Sequence, residues 1–269
     1  MDLPEEPTGA TTSSAGDHRQ ARRRICTDGC GRPTNVCLCH VLPSTPLSTA
    51  AKIVILHHPH ERRHKLATVP ILSKCLRNCE IIVGRKLKYG QSKLLDSLYD
   101  EACEKPDLPL NRALYLFPGP NAYPLSELNR FKSSLDNISA DNNFILIFFD
   151  GTWKHAKEMV SASSSFLSKF AVQVCLDFDV GVNGGTIFDS ELILRKEPFA
   201  GCMSTMEAVA RCLRFLEPNG IDIESKIIEV LRAMVSFQAC FLKPFKPRTK
   251  LTKTDERKNE KNENTDSLY

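Results

Sequence analysis

Short apolar runs recur along the middle of this chain, and stretches with helical periodicity separate them. The runs lack the polar alternation of a half-exposed strand, so each is predicted to be a strand covered on both faces. The predicted strands are residues 52–56, 80–84, 113–117, 144–149, 172–176 and 191–195. The predicted helices are residues 61–76, 91–103, 125–135, 153–162, 205–216 and 224–241, with Pro70 expected to kink or interrupt the first. This order predicts an α/β fold with a mostly parallel sheet and helices on both faces.

Two terminal stretches differ in composition from this alternating middle. Residues 1–25 combine small and polar side chains with a basic run, and residues 243–269 hold almost no apolar side chains. We expect a disordered leader and a disordered tail, because such segments cannot bury enough apolar surface to fold. One domain is then predicted at residues 26–242, with a cysteine cluster at 26–40 and the α/β core at 50–242.

Composition and targeting signals predict an intracellular protein. No window approaches about 18 uninterrupted apolar residues, and no apolar signal-peptide core is visible near the start. The eleven cysteines are then expected to be reduced rather than paired as disulfides. The net charge of +4 permits a polyanionic partner, and the run "RQARRR" at 19–24 is either a solvated leader or an RNA or nuclear-import contact. We expect a cytoplasmic or nuclear location and no membrane partner.

Four of the cysteines crowd into the segment "CTDGCGRPTNVCLCH". They are Cys26, Cys30, Cys37 and Cys39, and His40 follows directly. Four thiolates form the ligand set of a closed, tetrahedral zinc site, and the glycines and proline between them favour the tight turns of a zinc knuckle. The alternatives are a reduced, metal-free loop and a site in which His40 replaces one thiolate. We predict structural zinc, because four thiolates leave no open position for catalysis.

Four histidines follow the first predicted strand in the segment "HHPHERRH". His60 and His64 have the i, i+4 spacing of one helix face, which is also the histidine spacing of a metalloprotease motif. The two arginines between them would repel a cation, so we do not predict a metal site here. We predict a basic rim that faces phosphates, formed by Arg62, Arg63, His64 and Lys65. An exposed, solvated turn is the alternative interpretation.

Polar turns close several of the predicted strands, and ligands of parallel sheets bind beyond the carboxyl ends of strands. Asp150 and Gly151 end the apolar run in "FILIFFDGTW". Thr152 is placed to cap the helix that begins near Trp153, the single tryptophan of the chain. The segment "LRKEPFAGCMSTMEAVA" repeats this design, with the spacing of a capping box that ends at Glu207. Caps account for the hydroxyls, but they do not account for the acid and the indole.

Five separated motifs together resemble the DTW-domain family. They are "CGRPTNVCLCH", "ILHHPHE", "LFPGPNA", "DGTWKHAK" and "LRKEPFAGCMSTMEA", spread over residues 26–242. Members of that family are tRNA-uridine aminocarboxypropyltransferases, and the chain looks most like the eukaryotic branch that modifies the D-loop. The resemblance implies a SPOUT-like fold with a knotted cofactor pocket. The chain departs from the family pattern at its first cysteine pair, which encloses three residues where many relatives have two.

The resemblance also implies a reaction and the residues that carry it. The 3-amino-3-carboxypropyl group of S-adenosylmethionine moves to N3 of a uridine in tRNA, leaving 5′-methylthioadenosine. Asp150, Thr152 and Trp153 are assigned as catalytic, with the carboxylate as base and the indole against the sulfonium or stacked on uracil. The alternatives are that Asp150 caps the helix at 153–162 and that Trp153 is a core aromatic that anchors this helix. The implied cofactor-binding residues are Leu116, Phe117, Pro118, Gly119, Gly151, Arg195, Ser204, Thr205 and Glu207. The implied RNA-binding residues are Arg62, Arg63, Lys65, Lys154, His155 and Lys157.

Two other functions remain open at this point. An S-adenosylmethionine-dependent RNA methyltransferase would use a similar pocket and would differ in the carbon that is placed before the nucleophile. A zinc-containing RNA-binding module without catalysis would not need the acid at all. The mass gained by tRNA separates the first alternative from the aminocarboxypropyltransferase, and the variant Asp150→Ala tests the second.

Overall fold

Strands and helices alternate in the computed structural model, which describes residues 24–64, 66–105, 113–127, 144–176 and 203–241, with Arg63 described by its backbone alone. The strands are β1 (Lys52–His57), β2 (Cys79–Val83), β3 (Ala113–Leu116), β4 (Tyr123–Pro124), β5 (Ile145–Asp150) and β6 (Ala171–Cys175). The helices are α1 (Val69–Cys75), α2 (Lys93–Glu104), α3 (Trp153–Leu167), α4 (Thr205–Leu216) and α5 (Gly220–Ala239). Within these ranges no helix is long and apolar enough to cross a bilayer.

The strands of the described ranges form one sheet in the order β2-β1-β5-β3-β6-β4. Every pair of neighbouring strands is parallel, which confirms the parallel α/β fold predicted from the sequence. β4 was not predicted, because a two-residue strand is too short to be recognised as an apolar run. The predicted strand at 191–195 lies outside the described residues, as do the leader and tail predicted at 1–25 and 243–269, apart from Arg24 and Ile25.

Helices cover both faces of this sheet, as predicted. Ile53 and Ile55 of β1 pack into the core that α1, α4 and α5 complete, whereas Val54 and Leu56 pack toward α2 and α3. All six residues of β5 are buried. Successive side chains of a strand point to opposite faces, so a sheet covered on both faces needs apolar residues at every position of its central strands. This requirement explains why the apolar runs lack polar alternation.

The sequence pattern placed the first helix wrongly. Residues Glu61–Arg63 form a single 3-10 turn, and α1 begins only at Val69 with Pro70 in its first turn. Proline has no N–H to donate and a fixed φ that suits a helix start, so it begins this helix instead of kinking it. The predicted helix at 125–135 begins as a 3-10 turn at Leu125–Glu127, and its remainder lies outside the described residues. The other four helices overlap their predicted ranges, and α4 matches at both ends.

Candidate functional site

A crevice is expected where β1 and β5 lie side by side in the sheet. The chain leaves β1 toward α1 on one face and leaves β5 toward α3 on the other, so the two connections diverge. Divergence of this kind creates the ligand-binding crevice of open parallel sheets, beyond the carboxyl ends of the strands. The last residues of the two strands, His57 and Asp150, are partners in the parallel register. The polar segments that follow β1 and β5 therefore lie next to each other at one edge of the sheet.

The carboxylate of Asp150 is held from two sides. Its Oδ2 atom lies 2.6 Å from Nδ1 of His57, and its Oδ1 atom accepts a hydrogen bond of 2.5 Å from the Thr205 hydroxyl. Both Asp150 and His57 are buried, and Thr205 is half-buried at the first position of α4. Three distant parts of the sequence thus converge on one acid. The predicted acid and the predicted cofactor-binding threonine are brought into direct contact, while His57 had been given no role.

The turn after β5 combines a close backbone approach with a helix cap. A Cβ atom on Gly151 would lie 3.0 Å from Cβ of His155 and 3.3 Å from Cε of Met159, so a larger residue here would require these neighbours to shift. The hydroxyl of Thr152 accepts a hydrogen bond of 3.3 Å from the backbone N–H of His155, which confirms the predicted cap of α3. Thr152 is exposed, and its catalytic role stays a prediction.

Trp153 and the loop after β3 face each other across the turn. The rings of Trp153 and Phe117 have centroids 5.9 Å apart and planes tilted by 54°. Gln173 of β6 holds this loop by two hydrogen bonds. Its Nε2 atom donates one of 2.9 Å to the carbonyl of Phe117, and its Oε1 atom accepts one of 3.0 Å from the Tyr115 hydroxyl. Gln173 is not among the residues predicted for the site, although it is the one polar residue in the strand "AVQVC".

The exposed end of the same loop has little room for a side chain at one position. A Cβ atom on Gly119 would lie 2.8 Å from Nε2 of Gln173, the atom that bonds the loop. Pro118 and Gly119 are exposed, whereas Leu116 and Phe117 are half-buried. The four predicted cofactor-binding residues of this segment therefore pass from half-buried to exposed along the loop.

The start of α4 is capped in the same way as the start of α3. The Ser204 hydroxyl accepts a hydrogen bond of 3.1 Å from the backbone N–H of Glu207, as the spacing predicted. The carboxylate of Glu207 is fully buried and lies 3.3 Å from the guanidinium of Arg211 on the same helix. Its predicted contact with the cofactor stays a prediction. Arg195, predicted to bind the cofactor carboxylate, lies outside the described residues.

Three imidazoles cluster beside the turn. His58 is stacked on His155, with centroids 3.9 Å apart and planes 12° apart, and His60 meets both rings edge-on. Burial lowers the pKa of His58, and electrostatic interactions with His155, His60 and Arg85 lower it further. The ring nitrogens lie within 4.8 Å of one another, as metal ligands do. A metal ion must lie in the plane of each ring that binds it, so two parallel, stacked rings do not chelate one ion as they stand.

The predicted RNA-binding residues are only partly described. Arg62, Lys154 and Lys157 are exposed, as a surface for phosphates requires, and His155 is half-buried in the histidine cluster. Lys65 and the side chain of Arg63 lie outside the description. The described cations flank the turn that carries Asp150, because they follow β1 and β5, whose ends adjoin.

The four N-terminal cysteines are arranged as a zinc site requires. The Sγ atoms of Cys26 and Cys39 are 3.5 Å apart, those of Cys30 and Cys37 are 3.6 Å apart, and all four lie within 4.8 Å of one another. A tetrahedral ion with Zn–S bonds of about 2.3 Å places its sulfurs roughly 3.8 Å apart. A Cβ atom on Gly29 would collide with Sγ of Cys39, so this position has no room for a larger residue.

Hydrogen bonds to sulfur favour a thiolate at one of these positions. Burial opposes ionisation of Cys30, but hydrogen bonds, first of all from the backbone N–H of Leu38, bring the pKa of its thiol down to about 7. Cys39 behaves differently: the backbone N–H of Cys30 lowers the pKa of its thiol, yet neighbouring thiols, first that of Cys26, raise it overall to about 12. A bound dication would stabilise all four thiolates.

The cysteine segment packs on the end of α5. The guanidinium of Arg32 donates a hydrogen bond of 3.2 Å to the carbonyl of Val36 and one of 3.1 Å to the side chain of Gln238. The rings of His40 and Phe237 lie 5.5 Å apart. A metal at the four cysteines would consequently order the segment that buttresses α5, which is a structural role.

Comparison with known proteins identifies relatives of this chain. The profile described as "DTW domain" matches residues 23–239. A protein named tRNA-uridine aminocarboxypropyltransferase A, from Arabidopsis thaliana, is 51% identical over 239 residues, which cover 86% of this chain and 87% of the relative.

Two animal relatives share the activity in their names. A tRNA-uridine aminocarboxypropyltransferase 2 from Macaca fascicularis is 33% identical over 220 residues, covering 81% of this chain and 65% of the relative. Its counterpart from Mus musculus is 31% identical over 241 residues, which cover 87% of this chain and 72% of the relative. No solved structure matches the chain.

Proposed function

This chain belongs to the DTW-domain family, and from that membership we propose that it is a tRNA-uridine aminocarboxypropyltransferase. The observation that carries the proposal is the 51% identity to a protein of that name over most of both chains. The geometry gives independent support. Motifs that follow β1 and β5 and precede α4 converge on Asp150 in the crevice where parallel sheets bind ligands.

The reaction we propose is a single displacement on a sulfonium donor. N3 of a D-loop uridine forms a bond to the terminal carbon of the 3-amino-3-carboxypropyl group of S-adenosylmethionine. The bond between that carbon and sulfur breaks, its electron pair stays on sulfur, and neutral 5′-methylthioadenosine leaves. The proton of N3 passes to a base of the protein. No metal is needed for this step, so alignment of nucleophile and electrophile supplies much of the rate.

Several described residues have chemistry that suits these tasks. Asp150 provides the carboxylate of the base, and Trp153 offers an indole face to the sulfonium or to uracil. Phe117 and Gly119 line the adenine side, where the carbonyl fixed by Gln173 sets the position of the loop. Thr205, at the first position of α4, completes the opposite wall.

The remaining assignments are extensions of the same proposal. The resemblance points to a SPOUT-like, knotted cofactor pocket and to Arg195 as the partner of the donor's carboxylate. Phosphates of tRNA would lie on the basic rim at Arg62, Lys154 and Lys157, whose exposure supports this role. Zinc at the cysteine cluster would be structural. A cytoplasmic or nuclear location suits a tRNA substrate.

The decisive experiment uses the purified protein with an unmodified tRNA transcript and S-adenosylmethionine. Nucleoside mass spectrometry should find uridine carrying one aminocarboxypropyl group, and the small-molecule product should be 5′-methylthioadenosine. A methylated nucleoside with S-adenosylhomocysteine would identify a methyltransferase instead. Binding of tRNA without either product would identify a non-catalytic module, and in that case Asp150→Ala would leave tRNA modification in cells unchanged.

A further inference from the structure

The hydrogen bonding of Asp150 raises the question of which atom takes the N3 proton. This inference rests on the proposed function and concerns its base. Thr205 and His57 each engage one oxygen of the carboxylate. Both members of the pair are largely buried, with 12% of the Asp150 side chain and 4% of the His57 side chain accessible. Such a carboxylate is arranged to orient its neighbours. It has less freedom to collect a proton from a nucleobase.

The tautomer of His57 follows from its partner. An ionised carboxylate can only accept, so the proton between Oδ2 of Asp150 and Nδ1 of His57 belongs to the imidazole. In a neutral imidazole with its proton on Nδ1, the Nε2 atom carries the lone pair. Nε2 of His57 has no hydrogen-bond partner in the described part of the chain and is not among its fully buried, unpartnered polar atoms.

Adjacent strand ends carry the imidazole and the carboxylate. His57 and Asp150 are register partners on adjacent parallel strands. The carbonyl of His57 accepts a hydrogen bond of 3.1 Å from the N–H of Gly84, and the carbonyl of Asp150 accepts one of 2.9 Å from the N–H of His58. The pair is therefore built on rigid strand ends, the kind of support that positions reacting groups accurately.

We propose that the base of the reaction is the His57–Asp150 pair, with Nε2 of His57 as the atom that accepts the N3 proton. The imidazole becomes an imidazolium as N3 forms its bond to the donor carbon. Asp150 stabilises that positive charge and Thr205 fixes Asp150. After product release, Nε2 returns the proton to solvent. The same division of labour between imidazole and carboxylate operates in serine hydrolases.

Two substitutions at His57 distinguish a catalytic base from a residue that only positions Asp150. Asparagine keeps an N–H near the Nδ1 position and can still bond Asp150, but it has no basic nitrogen. Glutamine places its amide near Nε2 and is not basic either. We expect single-turnover rates at saturating substrates to fall about 100-fold or more in both His57→Asn and His57→Gln, the range that general-base catalysis contributes. The KM for S-adenosylmethionine should stay within about 3-fold of the wild-type value.

The controls make either result informative. Asp150→Asn should lose rate to a similar extent, because an amide cannot stabilise the imidazolium. Ser97→Ala, an exposed change on α2, should leave the rate unchanged. Calorimetric binding of S-adenosylmethionine and thermal melting establish that each variant is folded. If folded His57→Asn reacts within about 3-fold of the wild-type rate, the imidazole only holds Asp150 and the inference is overturned. Absence of product from the wild type would instead refute the proposed function.

Discussion

The indole of Trp153 and the phenyl ring of Phe117 lie with their centroids 5.9 Å apart and their planes tilted by 54°. The first residue of α3 and the loop after β3 are brought together by this contact, which is in the range of favourable aromatic pairs. The contact joins the motif that carries the single tryptophan to the loop after β3.

Removal of the indole should weaken donor binding. A cation near an aromatic face gains about 0.5–2 kcal/mol, so Trp153→Ala should raise the Kd of S-adenosylmethionine by about 2- to 30-fold. Trp153→Phe keeps an aromatic ring, so its Kd for S-adenosylmethionine should rise less than that of Trp153→Ala. Isothermal calorimetry measures the Kd of each variant for S-adenosylmethionine and for the uncharged 5′-methylthioadenosine. Equal losses for the two ligands would show that the indole packs against the adenosine part and does not sense the sulfonium.

A methyl group at Gly119 should disturb the loop through Gln173. The added Cβ would lie 2.8 Å from Nε2 of Gln173 and would displace it from the carbonyl of Phe117. Gly119→Ala should weaken S-adenosylmethionine binding by about 10-fold, equivalent to about 1.4 kcal/mol. Gly84→Ala is the matched control, because its nearest contact would be an ordinary 3.4 Å to Leu56.

The double variant identifies the cause of that effect. Gln173→Ala alone should weaken binding through the lost hydrogen bond. Adding Gly119→Ala should then cost little more, since the atom it collides with is gone. Additive losses would mean that Gly119 touches the donor directly, and the steric argument through Gln173 would be wrong.

Zinc removal should destabilise the fold. Wild-type protein is expected to contain about one zinc ion per chain by plasma mass spectrometry, and Cys30→Ser should lose it. Its melting temperature should fall by about 5–10 °C, as should that of the chelator-treated wild type. Cys103→Ser removes an exposed cysteine away from the cluster and is the control for both measurements. Full zinc content in Cys30→Ser would exclude the four-thiolate site.

The stability of the folded chain should depend on pH through His58. Burial first, and then His155, His60 and Arg85, lower the pKa of this imidazole in the folded state. The unfolded chain then binds the proton more readily, so His58 contributes stability above its ordinary pKa of about 6.5. That contribution is lost as the pH falls from about 6.5 through the lower folded-state pKa.

Urea unfolding at several pH values between about 5 and 8 tests this dependence. The free energy of unfolding of the wild type should decrease toward acid pH, and His58→Asn should flatten the decrease. His64→Asn, at an exposed histidine of the same segment, should retain it. An unchanged slope in His58→Asn would assign the acid sensitivity to other groups.

Local features of the fold could be read from the sequence. Apolar runs of "KIVIL" and "FILIFF" identified β1 and β5, and Thr152 and Ser204 marked the starts of α3 and α4. These features depend on residues within one or two helical turns of each other, so a single stretch of sequence holds the information. The prediction for Pro70 was wrong because proline either breaks or begins a helix, and which occurs depends on where the preceding loop ends.

Sequence patterns predicted five of the six described strands, the caps of α3 and α4, the set of four cysteines and the motifs that identify the family. Packing between distant parts of the chain places β1 beside β5, and it therefore brings His57 to Asp150, which Thr205 reaches from the other end of the chain. It also decided that Gln173 holds the loop of Phe117. The physical reason is that strand order is fixed by which helix packs on which face of the sheet. That choice is made by contacts between distant residues, and no short stretch of sequence records it.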